Sequence, residues 1–137
     1  MKSRVVTSVA IVAMFAAACG GGPDMADMTE VQRLRSGPLD VVLLSSSGAL
    51  RHGMDEFVIE FRSATDGSLI DVGAVRASSN MSMSGTPMLG TVNVSRTETA
   101  GRYLAAAELS MAGTWRTTIE WDGPAGKGTV AFSSSVR

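Results

Sequence analysis

The stretch Gly101–Gly123, GRYLAAAELSMAGTWRTTIEWDG, decides the fold, because its first half reads two ways. Three successive alanines have high helical propensity and invite a helix. Against that, Tyr103, Ala105, Ala107 and Leu109 recur at period two, and Gly101 and Gly113 bracket the run. Alternation of this kind puts one set of side chains on one face of a strand. Beyond Gly113, Trp115, Ile119 and Trp121 share a single parity. The stretch therefore reads as two strands, the second carrying a heavy apolar face. Burying such side chains contributes roughly 1.5–3 kcal/mol each before entropy is counted.

The same alternation extends to both sides. PLDVVLLSS and MDEFVIEFRS precede it, the latter with Phe57, Ile59 and Phe61 on one parity. Asp66-Gly67 follows where a hairpin turn needs residues tolerant of positive φ. VGAVRASSNMSM, GTVNVSRTE and, after the quoted stretch, GTVAFSSSVR complete about seven strands between turns rich in Gly, Ser, Asn, Asp and Pro. About seven short strands in roughly 100 residues predict an all-β fold, an immunoglobulin-like β-sandwich over residues 38–137.

The N-terminus has a different character. Lys2 and Arg4 precede an uncharged, mostly apolar run from Val5 to Ala18, then small residues lead into Cys19, the only cysteine. That layout reads as an export signal over residues 1–18, too short and wrongly flanked for a spanning helix. Ala16-Ala17-Ala18-Cys19 also resembles a bacterial lipobox, with Ala16 in place of the usual Leu. A lone Cys in an exported chain forms no internal disulfide and is an oxidation liability, which acylation removes. Cys19 is thus the expected lipidation site. Gly20 rather than Asp follows it, which on the proteobacterial sorting pattern points to the outer membrane, with the protein facing the periplasm. Residues 19–37, opening GGGPD, read as a flexible tether with a helical turn or two within Thr29–Arg35, able to hold the domain about 60 Å from the bilayer.

Removal of the signal takes away Lys2 and Arg4 and no acid, so the formal charge moves from −1 to −3. An acidic mature chain argues against nucleic acid, whose phosphates call for clustered Lys and Arg. Enzyme signatures are missing too. There is no Gly-x-Ser-x-Gly elbow, and a Ser-His-Asp triad would have to use His52, the sole histidine. GPAGKGTV lacks the phosphate-loop spacing, since Trp121 stands where the first Gly belongs and Gly128 follows Lys127. The expectation is a non-catalytic protein.

SSNMSMSGTPMLG, Ser78–Gly90, sets Met81, Met83 and Met88 on a small, polar, turn-forming background. If a strand ends near Met83, Met81 and Met83 share a face, and Ser84-Gly85-Thr86-Pro87 turns the chain so that Met88 returns toward them. Three neutral thioethers suit Cu(I), a soft ion, and need no deprotonation. A hydrophobic loop packed on the sandwich end and a partner-docking surface are the alternative readings. His52 and Met54, at the start of a strand, are further candidates for a mixed Met/His site that also accommodates Cu(II). Met111, ahead of a tight Gly turn, is expected to pack beneath Trp115.

Three segments, in order, resemble a YtkA-like domain over Leu43 to about Val130: GMDEFVIEFRSATDGSLIDVGAV; NMSMSGTPM, similar to the family's methionine-rich loop; and GRYLAAAELSMAGTWRTTIEW, similar to its Gly-x-Tyr and Met-x-Gly-x-Trp ending. The resemblance implies an immunoglobulin-like module of the bacterial envelope, related in fold to copper-resistance CopC-like and FixH-like modules. It also implies a role in metal handling, with a metal donor or an efflux or oxidase-assembly protein as partner.

Overall fold

The computed structural model describes residues 24–137. After a 3₁₀ turn at Met25–Asp27, eight strands follow: β1 (Thr29–Ser36), β2 (Leu39–Ser45), β3 (Gly53–Ser63), β4 (Ala74–Met81), β5 (Met88–Arg96), β6 (Arg102–Leu109), β7 (Gly113–Gly123) and β8 (Gly126–Val136). Neighbouring strands all pair antiparallel, in the order β1-β2-β3-β6-β5-β4-β7-β8. The β5–β4 link is only three residue pairs long, Ser79↔Gly90 to Met81↔Met88. It is where the sheet folds over into two layers, β2-β3-β6-β5 and β4-β7-β8. That strand order is the constant-type immunoglobulin arrangement, with β1 added at one edge.

The inner faces are the predicted ones. Phe57, Ile59 and Phe61 of β3, Tyr103, Ala105, Ala107 and Leu109 of β6, and Trp115, Ile119 and Trp121 of β7 are all buried. The two layers meet at Phe61 and Trp121, whose ring centroids lie 5.2 Å apart at 67°, an edge-on contact. Where β5 crosses between layers it must come close, and Gly90 allows it. A Cβ there would lie 2.9 Å from Leu109 Cδ2 and 3.1 Å from the Trp115 ring.

Two expectations are corrected. Residues 29–36, read as tether or helical turn, form β1, so the ordered sheet begins at Thr29 rather than at residue 38. The reason lies in its partner. Arg33 and Arg35 both reach the Asp40 carboxylate, at 3.3 and 3.0 Å, and Val31 and Leu34 pack against the core. The strand count is accordingly eight rather than seven. Asp66-Gly67 does reverse the chain, with Ile70 N–H returning to the Phe61 carbonyl. The segment then crosses to the other layer instead of making a β3–β4 hairpin, because β4 pairs with β5 and β7.

The outer face of the larger layer is unusually closed. Glu60 is 2% exposed and accepts from Arg62 Nη2 and Arg102 Nε, both at 2.9 Å. Arg33 and Glu60 stand on either side of Val42, and Val42 and Val58 are buried although they face outward. The Arg35 guanidinium holds the Asp40 carboxyl below the usual carboxylate range. At the far end, the Gly73 N–H bonded to Asp71 does the same there, while Tyr103 donates its hydroxyl to the Gly73 carbonyl at 2.8 Å.

Candidate functional site

The register of the strands sorts the connections to two poles. Thr29 lies opposite Ser45, Gly53 opposite Leu109, Met81 opposite Met88 and Gly113 opposite Val136. One pole therefore gathers the start of β1, the β2–β3, β4–β5 and β6–β7 connections and the end of β8. The methionines stand here.

The β4–β5 turn works as its residues suggest. Gly85 takes φ +96°, and Pro87 ends the turn ahead of β5. Met88 consequently returns directly opposite Met81, so the two are cross-strand partners on the inner face. Their environments differ. Met81 is 9% exposed and belongs to the core, with the β6–β7 connection so close that a Cβ on Gly113 would lie 2.6 Å from its sulfur. Met88 is half-buried, and its Sδ accepts from Ser110 Oγ at 2.9 Å. Met83 does not share Met81's strand face, because β4 ends at Met81. It sits in the turn, 47% exposed.

Sequence reasoning missed the part played by Met111. Its carbonyl accepts the Trp115 indole N–H at 3.0 Å, while its side chain is 36% exposed instead of packing beneath that ring. Ser110 on Met88 and Gly113 on Met81 bring the whole connection against the β4–β5 hairpin. The local Met-x-Gly-x-Trp pattern placed Met111 near Trp115 in sequence, but only the fold set its neighbour Ser110 against Met88.

His52 and Met54 share this pole yet point elsewhere. The His52 backbone N–H donates to the Arg137 carbonyl at 2.8 Å, and Nδ1 lies 2.9 Å from the same oxygen. That oxygen only accepts, so the His52 ring donates to it through Nδ1–H. His52 is thereby tied to the end of β8. Met54 lies on the outer face of the sheet, 76% exposed over a shallow concavity with Ser46, Glu56 and Ala106. It is thus turned away from Met81 and Met88, since its parity is opposite to that of Phe57. Cys19 and the export signal lie outside the described residues.

Among the described residues, no three His, Cys, Asp or Glu side chains converge. The donors brought together around the Met81–Met88 pair are thioethers and the Ser110 hydroxyl, all neutral and of a kind that suits a soft ion.

No curated protein and no solved structure matches the chain. A family model does match, the one described as YtkA-like, over residues 33–120, from within β1 to within β7. Since that span is well over half of the chain, the protein belongs to the YtkA-like family.

Proposed function

We propose that the protein is a lipid-anchored, non-catalytic metal-binding module of the bacterial envelope, held at the outer membrane through Cys19 and facing the periplasm, that takes up Cu(I) and passes it to a partner protein. The observation that carries this reading is the cross-strand pair Met81–Met88, with Met83 and Met111 supplied by the two adjoining connections. Exposure is graded among them. An ion arriving from solvent meets Met83 and Met111 first and settles against Met88, while Met81 backs the site from the core. Exchange proceeds by stepwise replacement of one thioether by another, which needs no proton transfer. The histidine and Met54 fall outside this set.

Titration of the protein with Cu(I) against a chromogenic chelator under reducing conditions tests it. Met83→Leu, Met88→Leu and Met111→Leu keep the apolar volume and remove one sulfur each. Each is expected to weaken binding about tenfold, or about 1.4 kcal/mol. Equal competition by the parent protein and all three variants rejects the metal site. A second reading, docking of a partner protein, is favoured by Leu89, which is 78% exposed beside Met88 and is no ligand. Leu89→Ser separates the two, because it leaves a metal titration unchanged. For the anchor, Cys19→Ala should release the protein from the membrane fraction.

A further inference from the structure

We infer that the methionine pole is the membrane-facing end of the protein and rests on the bilayer surface. The inference uses the Cys19 anchor of the proposed function, and it places an ion's approach to Met83 and Met111 at the bilayer surface rather than in open solvent.

Two observations converge on it. The first is where the chain enters the fold. β1 begins at Thr29, opposite Ser45, so the segment coming from Cys19 joins the domain at the methionine pole. Nine residues lie between Cys19 and Thr29, ten steps with a contour of at most about 36 Å. Strand β7 is eleven residues long, and its ten steps span about 33 Å from pole to pole. Turning the opposite pole toward the membrane would require the whole connecting segment to be stretched along the side of the sandwich. Part of it is already shortened by the 3₁₀ turn at Met25–Asp27.

The second observation is the distribution of exposed apolar side chains. Among the described residues the exposed large hydrophobics are Met54, Met83, Leu89 and Met111. All four lie at this pole: Met54 at the start of β3, Leu89 at the start of β5, Met83 and Met111 in the connections between. The far pole, with the Thr97–Gly101 connection and the Pro124-Ala125 turn, has none of them. Such a one-ended collection, placed where a short anchor holds it, matches the headgroup boundary of a bilayer. Its charge does not mark it for anionic lipid. Asp55, Glu56 and Glu108 offset Arg51, Arg116 and Arg137, and the entering segment adds Asp24 and Asp27. Contact is therefore apolar and suits zwitterionic lipid.

The test uses the full lipidated chain in phosphatidylcholine vesicles that carry a quencher at the headgroup level. A fluorophore is attached to Ser84→Cys in the β4–β5 turn or to Ala125→Cys at the far pole, and mass measurement reports the acyl group on Cys19. Quenching severalfold stronger at position 84 than at 125 supports the inference, as does its reduction by Leu89→Ser in protein that still floats with the vesicles. Equal quenching at both positions on acylated protein overturns the orientation and leaves the anchor standing. Protection of position 84 in native membranes but not in lipid vesicles also overturns it, in favour of a membrane protein as the covering surface. Unacylated Cys19 overturns the anchor and the orientation together.

Discussion

Met81 and Met83 are two residues apart and have opposite duties. Met81 seals the end of the core, and Met83 stands out in the turn. Truncation separates them: Met81→Ala should cost about 2–5 kcal/mol as a core deletion, whereas Met83→Ala should stay within about 0.5 kcal/mol. Urea unfolding measures both. Trp115 is the larger case. It is fully buried, and its indole N–H is satisfied by the Met111 carbonyl, so Trp115→Ala removes volume and leaves that carbonyl without its donor. A loss of about 3–5 kcal/mol is expected. The candidate site was legible in the methionine spacing as far as Met88, since a turn at Ser84–Pro87 has to bring it back. That Met81 would be sealed by Gly113, and Met88 met by Ser110, depended on neighbours more than twenty residues away.

Strand β6 is the element the sequence stated most clearly. Its alternation outweighs the helical propensity of three alanines because Tyr103, Ala105, Ala107 and Leu109 all find the other layer, and each outward residue finds none. Strand β1 is the opposite case. TEVQRLRS has only two apolar residues and a register shift between Glu30 and Gln32, so no period of two is visible. Its pairing comes from charges across the sheet, which spacing along one chain does not display. The same holds for Glu60, which reads as a solvated strand residue and is instead clamped by Arg62 and Arg102 from two strands. Glu60→Ala leaves Arg62 and Arg102 without their shared carboxylate. A destabilisation of about 3 kcal/mol is expected, against much less for loss of the exposed pair Lys127–Asp122. Double-mutant cycles with Arg102→Ala resolve the pairing from the packing.

For the molecule as a whole, the carboxylates set the acid limit of stability. Asp40, Asp66, Asp71 and Glu30 are all held below their ordinary values, Asp40 and Glu30 chiefly by arginine hydrogen bonds, Asp66 and Asp71 chiefly by backbone N–H groups. A lowered native value means that the stabilisation is complete above the unfolded value, about 4, and is lost as pH falls through the native one. The urea midpoint should therefore stay level from pH 7 to 5, as far as these groups are concerned, and drop below about pH 4. A midpoint that did not fall there would show that these pairs contribute nothing to folding.

By itself the sequence determined the all-β class, the seven strands from Pro38 onward, their inner faces and the returning methionine, because each of these follows from a period or a turn written in contiguous residues. The eighth strand, the buried Glu60, the crossing of the chain after Gly67 and the gathering of His52, Met54, Met81, Met83, Met88 and Met111 at one pole were decided only in three dimensions. Those features depend on which strands become neighbours, and strand neighbourhood is settled by pairing and packing between segments far apart in the chain.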